Sequence, residues 1–90
     1  MNQADKNRSF RTPDLKIGSY VYAEHPELFQ GVERQGRQCW FVFSNPDGQC
    51  ERLQQAFYNN SGMVSVRAFT EAERTLKDLI FSAERRGYAT

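Results

Sequence analysis

The chain has 90 residues, of which 39% are hydrophobic and 26% are charged, and this composition predicts a single soluble domain and argues against a disordered chain. Its formal net charge is +1, and neither half of the chain concentrates the positive charge that a dedicated nucleic-acid-binding protein usually carries. Two cysteines are too few for a disulfide framework, and no apolar run approaches the roughly 18 residues of a membrane span, so a cytoplasmic protein is expected.

The first element is predicted to be a short strand. Residues 1–7 are polar, lack the apolar core of a signal peptide, and are expected to form a flexible tail. Residues 8–12 follow, with Phe10 at their centre, and are predicted to be a strand that pairs with the aromatic strand described below.

A helix is predicted next, over residues 13–24. Thr12 suits the capping position, Pro13 suits the first helical position, and the carboxylate of Asp14 suits the positive end of the helix dipole. Residues 17–22 also have the composition of a strand, so capping and propensity disagree in this segment. We favour the helix.

A β-hairpin is predicted after this helix. Pro26 ends the helix, and residues 28–34 and 38–44 form two strands joined by a short turn at Gly36. Residues 45–48 have the composition of a tight turn that leads out of the second strand.

The second hairpin strand is apolar on both of its faces. Side chains alternate along a strand, so Cys39, Phe41 and Phe43 face one way and are expected in the core. Trp40 and Val42 face the other way. A chain with few other elements has little to cover this second face, so we expect it to be uncovered. The alternative is a monomer whose three helices cover both sides of the sheet.

Two helices are predicted in the remaining chain. Residues 50–59 form a short helix, which residues 59–62 end. Ser65 suits the cap of a final helix, and Gly87 suits the residue after its end. The final helix has apolar residues at three- and four-residue steps: Val66, Phe69, Ala72, Leu76, Leu79, Ile80 and Ala83.

The charged residues of this final helix are spaced to pair with one another. Glu71 is three residues from Arg74, Glu73 is four from Lys77, and Arg74 is four from Asp78. We expect this charged face to be solvated.

The predicted order is strand, helix, strand, strand, helix, helix. This order predicts an α+β domain with a small antiparallel sheet and helices packed against it. The domain is expected to span residues 8–87, between the tail of residues 1–7 and a C-terminal tail of residues 88–90.

Several short segments resemble a known family in their order and spacing. They are Thr-Pro-Asp-Leu at residues 12–15, Phe-Val-Phe at 41–43, Phe-Tyr-Asn-Asn at 57–60, Val-Ser-Val at 64–66 and Leu-Lys at 76–77. In these features the chain resembles the domain of unknown function 5659 family of bacterial and phage proteins. The resemblance implies a compact intracellular α+β domain in a phage setting. It implies no activity and supplies no catalytic residue.

The sequence contains no residue pattern typical of a catalytic or a metal-binding site. His25, Cys39 and Cys50 are too few and too widely spaced for a structural zinc site, which uses four ligands in close pairs. A Cys39–His25 nucleophile is disfavoured because Cys39 shares the core face of its strand. His25 is expected to make a local contact at the helix end, and Cys50 is expected to be the more exposed cysteine. We therefore predict no enzyme activity, no metal and no cofactor.

The leading hypothesis is a non-enzymatic protein that works through protein–protein contacts. Trp40 and Val42, with Arg11, Arg34 and Arg37 nearby, have the composition of an interface, and a homodimer that buries them is the simplest form. The alternative is single-stranded nucleic-acid binding, in which bases stack on Trp40 and the arginines hold the phosphates. A protein partner is favoured because the chain has no basic excess.

Overall fold

The computed structural model describes the backbone of residues 9–89 and the side chains of residues 9–83. The tail predicted for residues 1–7 lies outside the described residues, as do Arg8 and Thr90.

The described residues form an α+β domain, as predicted. Its elements in chain order are β1 (Ser9–Thr12), α1 (Leu15–Glu24), β2 (Phe29–Gln35), β3 (Gln38–Ser44), α2 (Gln49–Tyr58) and α3 (Val66–Ala89). Short 3₁₀ turns at Pro26–Leu28 and Pro46–Gly48 precede β2 and α2.

The three strands form one antiparallel sheet in the order β1-β3-β2, so the aromatic strand β3 is central. Phe10 lies opposite Phe43 across β1 and β3, and the register between β2 and β3 shifts at a bulge between Phe29 and Gly31. The hairpin and the pairing of the first strand with the aromatic strand are therefore confirmed.

Residues 15–24 are helical, which resolves the conflict between capping and strand propensity. The capping residue is Asp14 and not Thr12, because the helix begins two residues later than predicted. One carboxylate oxygen of Asp14 accepts hydrogen bonds from the backbone N–H groups of Lys16 (2.8 Å) and Ile17 (3.2 Å). The Thr12 hydroxyl instead accepts from the Asp14 N–H at 3.1 Å.

Helix α3 begins at the predicted cap but differs from the prediction in two respects. The Ser65 hydroxyl accepts a hydrogen bond from the Ala68 N–H at 3.0 Å, which confirms this cap. The helix continues to Ala89, through Gly87, the residue predicted to follow its end. Val66 was assigned to the buried stripe, but it is 82% exposed because the first turn of α3 extends beyond the core.

Two acidic residues of α3, Glu71 and Glu73, form ion pairs that the sequence did not predict. The Glu73 carboxylate lies 2.6 Å from Lys16 Nζ on α1, and the hydrogen bond from Lys16 lowers the pKa of Glu73. Glu71 lies 3.8 Å from Arg67, one turn earlier in the helix. Packing of α1 on α3 brings Lys16 within reach of Glu73, and sequence spacing within one helix does not anticipate such a contact.

The core lies on the face of the sheet that carries Phe41 and Phe43. Helix α1 packs against both α2 and α3, and a Cβ added at Gly18 would lie 3.0 Å from Phe41 Cδ2 and 3.3 Å from Leu76 Cδ1. The lack of a side chain at Gly18 therefore lets α1 approach Phe41 and Leu76 closely. The buried cluster consists of Phe10, Ile17, Val21, Phe41, Phe43, Cys50 and Leu76.

Candidate functional site

Trp40 and Val42 lie on the face of the sheet opposite this core, as side-chain alternation predicts. Arg11 lies opposite Val42 across β1, and Glu33 lies opposite Trp40 across β2. Val42 is only 7% exposed and Trp40 is half-buried. The expectation of an uncovered apolar face is therefore wrong for Val42 and only partly met by Trp40.

Arg11 accounts for part of the cover over Trp40. Its guanidinium carbon lies 5.0 Å from the centroid of the indole ring, which is cation–π geometry. One guanidinium nitrogen lies 3.1 Å from a carboxylate oxygen of Glu33 and 3.5 Å from the side-chain oxygen of Gln35. Arg11, which was predicted to belong to the binding surface, therefore pairs with side chains of its own sheet.

The other two predicted arginines do not join Trp40. Arg34 lies opposite Cys39, one residue along β2 from Glu33, so its side chain starts from the opposite face of the sheet. Its Nε donates to the Gly36 carbonyl at 3.0 Å. Arg37 is exposed in the hairpin turn. The predicted cluster of Trp40, Val42 and three arginines is therefore not assembled, because alternation separates Arg34 from Arg11.

A different apolar surface, missed by the sequence analysis, lies between α2 and α3. Tyr58 at the end of α2 is 64% exposed, Met63 in the connecting loop is 85% exposed, and Val66 at the start of α3 is 82% exposed. We refer to Tyr58, Met63 and Val66 as the apolar rim. Three large apolar side chains so close in sequence and so exposed are the pattern of an interaction surface.

One member of the apolar rim, Met63, also lines a groove of about 440 Å³. We refer to it as the aromatic groove, and it is lined by Tyr20, Phe57, Asn60, Gly62, Met63, Val64 and Phe69. The rings of Tyr20 and Phe57 lie 6.1 Å apart between centroids at an angle of 45°. The lining carries two side chains with polar ends, Tyr20 and Asn60, and no charged side chain, so it suits an apolar group.

Tyr20 holds the loop that forms one wall of the aromatic groove. Its hydroxyl accepts a hydrogen bond from the backbone N–H of Met63 and contacts Glu24. Burial, followed by the hydrogen bond to Glu24, raises the pKa of Tyr20. A Cβ added at Gly62 would lie 2.6 Å from Cζ of Tyr20, so a larger residue at this position would force the loop or the Tyr20 side chain to shift. The loop is therefore packed closely against Tyr20.

His25 makes the local contact predicted at the helix end and a second contact with a residue distant in the sequence. Its Nδ1 lies 3.0 Å from a carboxylate oxygen of Glu27, and its Nε2 lies 2.9 Å from the side-chain nitrogen of Gln49. The ring thus joins the end of α1 to the start of α2. Within the part of the chain that the structure describes, no group of three or more His, Cys, Asp or Glu side chains is placed to hold a metal ion.

Cys50 corrects the expectation that it is the more exposed cysteine. Its side chain is fully buried in the first turn of α2, while Cys39 retains slight exposure, and both thiols are free. The Cys50 thiol donates to the Ser44 carbonyl at 3.4 Å. Burial raises the pKa of Cys50 to about 11, and the charge of Glu51 adds to the shift.

Cys50 is expected to resist alkylation by iodoacetamide at pH 8 in the folded protein, because the reactive thiolate is scarce and inaccessible. A Cys39→Ser variant isolates Cys50, and mass spectrometry over time measures its modification. The same variant in urea is the control and should react fully. Because the pKa of the folded thiol is higher than that of an unfolded one, its contribution to stability is complete below about pH 9 and is lost as the pH rises through about 11. Rapid labelling of the native variant would contradict this account.

No protein-family model, curated protein or solved structure was found to match this chain.

Among the described residues, no helix has both the length and the apolar composition needed to cross a membrane.

Proposed function

We propose that this chain is a non-enzymatic interaction domain whose aromatic groove receives an apolar side chain from a protein partner. The observation that carries the proposal is the 85% exposure of Met63, which lines a groove together with aromatic rings. Val66, which is 82% exposed, follows two residues after Val64 of the same lining. Apolar anchors that enter a preformed pocket supply most of the binding energy at many protein interfaces.

The contacts that hold the loop against Tyr20 support this proposal. Tyr20 fixes the loop through the Met63 N–H, and Gly62 is packed against the Tyr20 ring. A groove that is already formed requires little ordering when a partner binds, and this lowers the entropic cost of association. The volume of about 440 Å³ lies within the range of functional ligand pockets.

The same geometry favours a protein partner over single-stranded nucleic acid. A base would need the face of the Trp40 ring, but the Arg11 guanidinium lies over that ring at 5.0 Å and is paired with Glu33. The indole Nε1 is buried and has no acceptor among the described residues, so it does not present a hydrogen bond to a base edge. A cytoplasmic location and a phage setting remain predictions of the sequence and of the family resemblance.

Site-specific photo-crosslinking in cells tests the proposal. A photoreactive amino acid at Val66 is expected to give discrete protein adducts, and Met63→Asp is expected to abolish them while circular dichroism remains native. Phe81 provides the matched control position, because it is 62% exposed on the same helix but lies 15 residues further along. If Val66 gives no more adducts than position 81, or if Met63→Asp leaves its adducts intact, the aromatic groove is not a protein-binding site.

A further inference from the structure

We draw no further inference here: the strongest candidate, the aromatic groove between α2 and α3, belongs to the site already described, and nothing in the structure shows which molecule covers it.

Discussion

Replacing Phe41 with alanine is expected to lower the free energy of unfolding by about 3–5 kcal/mol. Phe41 is central in β3 and almost completely buried, and its ring packs where α1 approaches most closely at Gly18. The sheet and two helices meet at this ring, so the cavity cannot close by moving one element alone. Since small domains have total stabilities of about 5–15 kcal/mol, the variant is expected to be marginally folded.

Urea denaturation followed by circular dichroism measures this loss. The comparison requires that the slope of the free energy of unfolding against urea concentration is the same in the variant and in the wild type. Val66→Ala is the control and should change stability by less than about 0.5 kcal/mol, because Val66 is 82% exposed. Gly18→Ala adds a second check. In the wild type, the methyl group added by Gly18→Ala contacts Phe41. In the Phe41→Ala variant this contact is absent, so Gly18→Ala should raise the free energy of unfolding by up to about 1 kcal/mol through its higher helix propensity. A loss below about 1 kcal/mol for Phe41→Ala would contradict the assigned core.

Asn45→Ala is expected to lower the free energy of unfolding by about 1–3 kcal/mol. Asn45 is completely buried between β3 and α2. Its side-chain oxygen accepts from the Cys50 N–H at 2.8 Å, and its side-chain nitrogen donates to the Glu51 carboxylate at 2.7 Å. Gly48, the residue at the N-terminal cap of α2, has no side chain to replace this bond. Alanine therefore leaves the buried Cys50 N–H without an acceptor.

Asn45→Asp separates the two hydrogen bonds. The carboxylate can still accept from the Cys50 N–H, but its second oxygen faces the Glu51 carboxylate and repels it. Adding Glu51→Gln should restore stability to the Asn45→Asp variant, because the new amide can donate. The same addition should not restore Asn45→Ala. Thermal and urea unfolding of the four variants measure these differences, and equal behaviour of the alanine and aspartate series would refute the capping role.

Elements defined by local chemistry were predicted well. The hairpin follows from apolar runs on either side of the Gly36 turn, and α3 follows from its three- and four-residue spacing after the Ser65 cap. These signals involve residues close together in the chain, so the sequence displays them directly. The predicted start of α1 was two residues too early, because Thr12 and Asp14 are both good capping residues and only the backbone path selects between them.

The candidate site depended on distant residues and was predicted poorly. The aromatic groove joins Tyr20 from α1, Phe57 from α2 and Phe69 from α3, which are separated by up to 49 positions. One local signal was present: Asn60 and Gly62 lie in a loop next to exposed Met63. That signal indicated a turn, and it did not indicate that the turn closes over an aromatic ring.

The aromatic strand separates what the sequence determined from what only the tertiary structure decided. Alternation along β3 alone assigns Phe41 and Phe43 to one face and Trp40 and Val42 to the other. Whether the second face is uncovered depends on the register with β1 and β2, which places Arg11 against Trp40 and Arg34 on the other side. Periodicity is a property of one segment, whereas cover and exposure are properties of contacts between segments. For this reason the exposed apolar surface lies at Met63 and Val66 and not on the strand that first suggested one.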